Sequence, residues 1–269
     1  MSARPPHRPV PVSRLVARTD IPSKSVGIFW LGGASVALKS PANKVYVFDP
    51  GMRPMEDGGP VGPTDIRPDL VVCTFHSPTR FNLASLTNMS TAFPDVRFAG
   101  SETVREWMMG KGSADDIPVN PGRVATLRPG DTREVNSLGV QDRVRLRVLG
   151  DVGDALNPWN VLMTFSGLRI CLVRQTAGGR LDRLCEEVVR RPDVLIWSLE
   201  GKTLEGAREG LSRLRPRYAV PVGYDSLSSG GQLARRFRDL VDEMPSTRSY
   251  LFPDDYLEGL IYSRVMHRR

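Results

Sequence analysis

An apolar run that ends in a polar loop, at residues 69–82, constrains the fold of this chain more than any other stretch. Residues 70–74 have the pattern of a strand buried on both faces, because a short apolar run is bounded there by turn-forming residues. The loop after it carries histidine, serine, threonine and arginine. In layered α/β folds, sites usually lie just beyond the carboxyl ends of such strands. The sequence therefore predicts an α/β fold with its site at this loop.

The composition fits one large α/β domain. The chain has 269 residues, of which 40% are hydrophobic and 25% are charged. It has neither an apolar run of eighteen residues nor a signal-peptide pattern, so we expect no membrane partner. Cys73, Cys171 and Cys185 are odd in number and widely spaced, which favours free thiols and a cytoplasmic location.

The order of predicted elements divides the chain in two. Residues 1–25 are rich in Pro, Arg and Ser and are predicted to form an irregular basic arm, and residues 26–269 are predicted to form a single domain. Three short strands joined by tight turns open that domain, between Val26 and Gly51. The remaining predictions are helices at 82–93, 101–109, 181–189, 204–214 and 233–244, strands at 96–99, 124–127, 135–140, 144–149, 161–165, 169–173, 193–199, 249–252 and 260–262, and a strand and turn at 218–225.

Residues 69–82 resemble the strand and metal loop of the metallo-β-lactamase superfamily, and are most similar to its ascorbate-6-phosphate lactonase branch. Trp30-Leu31-Gly32, Leu38-Lys39-Ser40 and the strand that closes on Asp49 also match that branch. The resemblance covers about residues 26–265. It implies a four-layer αββα sandwich, zinc as the cofactor, and hydrolase or lactonase activity.

The metal ligands implied by the resemblance are missing from this chain. The family has histidine, any, histidine, any, aspartate, histidine after the threonine for which Thr74 stands. The four ligand places hold other residues here, namely Phe75, Ser77, Thr79 and Arg80. His76 falls on the first spacer position. Arg174 and Gln175 stand where the family has glycine and a bridging aspartate, and Gly223 replaces its last histidine ligand. We therefore expect no zinc cofactor.

A different metal site has little material to draw on. The chain has three histidines, and only His76 lies near the expected centre; His7 and His267 lie near the ends. Asp151 and Asp154, in a glycine-containing loop, have a spacing that could hold a hard cation, although two such aspartates are also typical of turns.

The vacated cavity is predicted to bind an anion. Arginine pairs well with phosphate and carboxylate, so it is a physically sensible replacement for a metal. The candidate lining residues are Asp49, His76, Arg80, Arg174, Gln175, Tyr224 and Asp225. Asp49 has a second interpretation, as a turn-capping residue before Pro50. The sequence thus favours a non-catalytic protein, a pseudoenzyme with a binding or assembly role and a small anionic ligand.

Two alternative functions stay open. One is a metal-dependent hydrolase or lactonase with an atypical metal site. The other is a nucleic-acid-binding protein, since the net charge is +7, the sequence pI is about 9.7, and arginines alternate along residues 143–147. That arginine face needs no function if it is only solvated. The Pro-rich arm and the sheet edges also favour a protein partner or self-association.

Overall fold

Two seven-stranded sheets form the centre of the molecule, as seen in a computed structural model. The strands in chain order are β1 Ser25–Trp30, β2 Val36–Lys39, β3 Val45–Phe48, β4 Leu70–Val72, β5 Arg97–Gly100, β6 Val124–Thr126, β7 Thr132–Glu134, β8 Val144–Leu149, β9 Asn160–Phe165, β10 Leu168–Val173, β11 Val194–Ser198, β12 Tyr218–Val222, β13 Arg248–Ser249 and β14 Gly259–Ser263. The structure describes residues 12–51, 62–75, 83–110, 119–150, 158–165, 167–174, 176, 179–199, 204–224, 230–252 and 259–263.

Six helices are seen in the described ranges, with lengths from 7 to 13 residues. They are α1 Val12–Arg18, α2 Leu83–Ala92, α3 Glu102–Met108, α4 Arg180–Glu187, α5 Leu204–Leu214 and α6 Gly230–Asp242. Ser101 caps α3, because its hydroxyl accepts a hydrogen bond from the backbone N–H of Val104 at 3.2 Å. No helix in these ranges is long and apolar enough to cross a membrane.

The strand order brings parallel strands together in each sheet. The first sheet runs β14-β1-β2-β3-β4-β5-β6, and its strands β3 to β6 are parallel. The second sheet runs β13-β12-β11-β10-β9-β8-β7, and its strands β10 to β13 are parallel. Parallel strands deliver the residues after their carboxyl ends to one edge of a sheet, which is where α/β folds build sites.

Side chains of the first sheet alternate between two hydrophobic cores, and helices pack on the outer face of each sheet, so the molecule has four layers. Tyr46 and Phe48 point to the core between the sheets, whereas Val45 and Val47 point to a second core under the first sheet's helices. Val16 of α1, Leu86 of α2 and Val104 of α3 belong to that second core. Leu181, Leu211 and Phe237, from α4, α5 and α6, cover the outer face of the second sheet. The predicted four-layer αββα sandwich is confirmed.

Helix α1 lies inside the stretch that was expected to be irregular, so the structure differs from that expectation at residues 12–18. The helix docks through Lys39, whose side chain is buried. The Lys39 ammonium donates hydrogen bonds to the carbonyls of Val16 at 2.7 Å and Ala17 at 3.2 Å. Carbonyls in the last turn of a helix lack partners within the helix, and a cation there also interacts favourably with the negative end of the helix dipole. Residues 1–11 lie outside the described part.

The strand predicted at 135–140 is wrong. Residues Val135–Leu138 form a single 3-10 turn, and Gly139 ends it with a φ of 87°. The hydroxyl of Ser137 donates to the carbonyl of Glu134, and the Asn136 side chain accepts from the N–H of Ser137. Such local side-chain bonds stabilise a turn at the expense of a strand ladder. The strand of this region lies earlier, at β7.

We expect Lys39→Met to destabilise the protein by about 1.5–3 kcal/mol, because two helix carbonyls lose a charged donor. Lys44→Met is the matched control. Lys44 is half-exposed in its ion pair with Asp69, so its loss costs only about 0–1 kcal/mol. Urea unfolding measures both values, and amide hydrogen exchange of residues 12–18 should rise only in Lys39→Met. Equal losses in the two variants would contradict the account of α1.

Candidate functional site

Asp49 leaves strand β3 in a left-handed backbone conformation. Its φ is 50°, a region that aspartate tolerates better than most side chains. The Asp49 carbonyl accepts hydrogen bonds from the Ser35 hydroxyl at 2.5 Å and from the Gly51 N–H at 2.7 Å, which hold this turn. If the strand alternation of β3 continued, the Asp49 side chain would point outward, as those of Val45 and Val47 do. The turn ends that alternation, and the Asp49 carboxylate meets groups of both sheets.

The Asp49 carboxylate is buried and is surrounded by donors. Its Oδ1 accepts from the backbone N–H of Thr74 at 2.6 Å, and its Oδ2 accepts from the Thr74 hydroxyl at 2.7 Å. The Arg174 Nε lies 2.9 Å from Oδ2, and the two side chains are 0% and 1% exposed. Thr74 follows β4 and Arg174 follows β10, so this ion pair joins the first sheet to the second.

Arg174 occupies an inward-facing position, on the same face as Ile170 and Leu172 of β10. Its backbone N–H donates to the side-chain oxygen of Asn160, the first residue of β9, at 2.7 Å. The Nε contact to Asp49 does not have hydrogen-bond geometry, so it is an ion-pair contact only. Within the described part of the chain, the Nη1 and Nη2 groups are buried and have no hydrogen-bond partner. Buried donors of this kind almost always have an acceptor.

Two opposing effects act on the pKa of the Asp49 carboxyl. Burial raises the pKa of the Asp49 carboxyl, whereas the Arg174 guanidinium and hydrogen bonds from Thr74 and Phe75 act to lower it. Burial is the larger effect, so the pKa lies above its usual value. The pKa of the neighbouring Cys73 thiol is also raised, first by burial and then by Asp49. Cys73 is therefore a structural thiol and a poor nucleophile.

Tyr224 contributes packing at the same edge of the sandwich. Its ring lies against Trp30, with the centroids 4.4 Å apart and the planes tilted by 38°. The Tyr224 hydroxyl donates to the carbonyl of Phe252 at 2.9 Å, in buried surroundings. Trp30 ends β1 and Tyr224 follows β12, so this pair also spans the two sheets. A role for Tyr224 in ligand binding stays a prediction.

Two residues of the site were missed as site residues in the sequence. Thr74 supplies two donors to Asp49, and its position at the end of a buried strand was the signal that could have identified it. Asn160 fixes the backbone of Arg174, and nothing in its sequence context marks that role. The carbonyl of Thr74 also accepts from the N–H of Trp159 at 2.9 Å, which ties the two loops together.

Of the predicted cavity residues, the structure brings Asp49 and Arg174 into contact and places Tyr224 in the adjoining cluster. The other predicted residues, His76, Arg80, Gln175, Asp225, Asp151 and Asp154, lie outside the described part. No group of three or more His, Cys, Asp or Glu that could hold a metal ion occurs among the described residues. All three histidines of the chain lie outside them.

Asp49 does not fit the role of a metal ligand in this arrangement. A dication bound to its carboxylate would lie close to the Arg174 guanidinium. Repulsion between unit charges about 4 Å apart costs about 4 kcal/mol at the effective dielectric constant of a protein, and a dication doubles it. The cation that Asp49 faces here is Arg174 itself.

An open groove of about 850 Å³ lies away from this pair. Its lining includes the turn between β2 and β3 and the segment before β8, at Pro41, Ala42, Asn136, Ser137, Gln141, Asp142 and Arg143. The turn is at the opposite end of β3 from Asp49. Asp142 is already bonded there by the Tyr46 hydroxyl at 2.6 Å. The groove is therefore separate from the candidate site.

Comparisons with known proteins identify the fold. No family model matches the sequence, and no curated protein matches it. Among solved structures, the chain is similar to Igni18, a metallo hydrolase from the archaeon Ignicoccus hospitalis KIN4/I, with a TM-score of 0.64 and 14% identity over 89% of this chain and 99% of that one. It is also similar to an E377D mutant of the β-hydroxylase CmlA, with a TM-score of 0.59 and 12% identity over 90% of this chain and 54% of that one.

The subclass B3 metallo-β-lactamase BJP-1 of Bradyrhizobium japonicum is a more distant match. It has a TM-score of 0.41 and 12% identity, over 70% of this chain and 80% of that one. At these identities the comparisons with Igni18 and CmlA establish a shared fold and nothing about the chemistry of this chain.

A double-mutant cycle tests whether Asp49 and Arg174 act as one unit. We expect Asp49→Asn and Arg174→Met each to destabilise the protein by about 3–5 kcal/mol, because each leaves a buried polar group or charge without its partner. The double variant should lose less than the sum, by about 1–3 kcal/mol. Urea unfolding of the four proteins measures this. The exposed pair Lys44 and Asp69 is the control, with coupling of about 1 kcal/mol or less. Additive losses at Asp49 and Arg174 would contradict the account.

Proposed function

We propose that this chain is a non-catalytic protein of the metallo-β-lactamase fold that binds a small anion at Arg174. The observation that carries the proposal is the buried guanidinium, whose Nη1 and Nη2 groups have no acceptor among the described residues. A binding or assembly role follows, in place of hydrolysis.

The geometry of arginine supports an anion as the missing partner. A guanidinium presents its N–H groups in a planar fork that fits two oxygens of a carboxylate or phosphate. The Asp49 carboxylate contacts only Nε, on one side of that fork. Asn160 holds the backbone of Arg174, and Thr74 holds Asp49, so the guanidinium is fixed in place before a ligand arrives. Preorganised donors lower the entropic cost of binding.

The choice of anion rests on the sequence resemblance to the ascorbate-6-phosphate lactonase branch. We propose a phosphate group, free or on a sugar, as the ligand class. Three of the other predicted contacts, His76, Arg80 and Gln175, would add donors to the same ligand. Asp49 partly neutralises Arg174, which favours a ligand of low charge over a polyanion.

The alternative function is a metal-dependent hydrolase or lactonase with an atypical site. The likeness to the metallo hydrolase Igni18 over 89% of this chain supports it at the level of the fold. The contact between Arg174 and Asp49 counts against it, because a dication beside that carboxylate would meet a fixed positive charge.

We expect inorganic phosphate, added at constant ionic strength, to raise the melting temperature of the protein. A ligand at 100 times its Kd stabilises by about 2.7 kcal/mol, and each kcal/mol shifts a chain of this size by about 2–4 °C. Arg174→Lys keeps the charge but removes the fork, so it should lose most of the shift. Differential scanning calorimetry measures both.

Arg208→Gln is the control for this experiment, since Arg208 of α5 is an exposed arginine that pairs with Glu243. It should show the wild-type shift. An equal shift in Arg174→Lys, or no shift with phosphate, a sugar phosphate or a carboxylate, would contradict the proposal.

Metal analysis separates the proposed function from its alternative. We expect the purified protein, after incubation with zinc or manganese and dialysis, to retain well below one equivalent of metal per chain, because Arg174 repels a dication at Asp49. Inductively coupled plasma spectrometry measures the content. Stoichiometric metal that is lost in Asp49→Asn would favour the hydrolase.

A further inference from the structure

A second group of arginines lies on the outer face of the second sheet, opposite to the inner face that carries Arg174. The strand register places Arg145, Thr164 and Arg169 in one row across β8, β9 and β10. The next row is Arg147, Leu162 and Cys171. The residues between these rows, such as Leu146 and Ile170, are fully buried between the sheets. Side chains alternate along strands, so the two arginine rows face away from Arg174.

Helix α4 and the segment after it bring further charges to this face. The Glu187 carboxylate contacts Arg183 Nε at 2.9 Å and Arg147 Nη2 at 3.6 Å. A single carboxylate therefore serves two guanidinium groups, and its side chain is only 15% exposed. Arg145 is neutralised separately by Glu134 at 2.8 Å. Arg190 follows α4, and its charge acts on Arg169. We call Arg147, Arg169, Arg183 and Arg190 the arginine cluster.

Arg169 is not fully paired. Its Nε is buried and lacks a hydrogen-bond partner in the described ranges, and no described carboxylate lies within ion-pair distance of Arg169 or Arg190. Asp193 is near, but it already accepts from the Arg169 backbone N–H at 2.8 Å and pairs with Arg217 at 3.5 Å. Burial lowers the pKa of Arg169, and the positive charges of Arg190 and Arg147 act in the same direction, whereas Cys171 and Asp193 act to raise it.

We infer that the arginine cluster is a second anion site, and that it binds the phosphate groups of a small polyphosphate. Arg147 and Arg183 share the Glu187 carboxylate, and Arg169 and Arg190 have no described carboxylate within ion-pair distance, so a polyanion would be attracted to this face. The two rows and α4 carry no aromatic side chain on which a nucleobase could stack. Recognition would therefore be of phosphate oxygens alone, through exposed and half-buried guanidinium forks.

The inference is independent of the proposed function, because the two sites use different arginines on opposite faces of the second sheet. Titration calorimetry with sodium tripolyphosphate tests it. We expect Arg169→Gln/Arg190→Gln to weaken binding about tenfold or more, as the loss of charged hydrogen bonds does. Arg67→Gln/Arg105→Gln removes two ion-paired arginines from the first sheet's side, and it should leave the affinity within about twofold.

Arg190→Gln alone tests the inference if the double variant fails to fold, since Arg190 is exposed. It should weaken binding and leave the melting temperature unchanged. A single-stranded oligothymidylate is the second probe. Binding of the oligonucleotide without binding of tripolyphosphate would overturn the inference in favour of a nucleic acid. Unchanged affinity for tripolyphosphate in the cluster variants, or no binding by the wild type, would also overturn it.

Discussion

The two halves of the sandwich meet at a buried ion pair, and the chemistry of the site depends on it. Asp49 comes from the first sheet and Arg174 from the second, and neither side chain reaches solvent. Burying two charges is costly, so such a pair persists only where hydrogen bonds support it. Thr74 supports the carboxylate with two donors, and Asn160 supports the backbone of the arginine. The left-handed turn at Asp49 is part of the same arrangement.

This pair leaves two buried guanidinium groups, Nη1 and Nη2 of Arg174, without an acceptor among the described residues at the carboxyl edge of the sheets. A guanidinium that faces Asp49 through Nε alone keeps its other donors for a second partner. In this chain, whose fold is shared with a metallo hydrolase, Arg174 lies beside Asp49. Unpaired guanidinium donors favour an anion over a dication, which is the physical basis of the proposed binding function. The arginine cluster on the outer face is a separate source of positive charge.

Much of the fold could be predicted from the sequence because its elements have clear periodicity. The run Leu204–Leu214 was predicted as a helix with the bounds that α5 has, and a hairpin was predicted where β9 ends at Phe165 and β10 begins at Leu168. The site was harder to predict. Pairing of Asp49 with Arg174 depends on a φ of 50° and on the register of two sheets, and Asn160 acts through a contact fourteen residues away. Local patterns do not encode either. The error at residues 135–140 had a local cause, since Asn136 and Ser137 bond their own backbone.

Anomalous diffraction from crystals grown with both zinc and phosphate tests the central claim most directly. The account predicts phosphate density against the Nη groups of Arg174, an intact contact between Arg174 and Asp49, and no zinc peak at the Asp49 carboxylate. A zinc ion coordinated by Asp49, with Arg174 displaced, would contradict it.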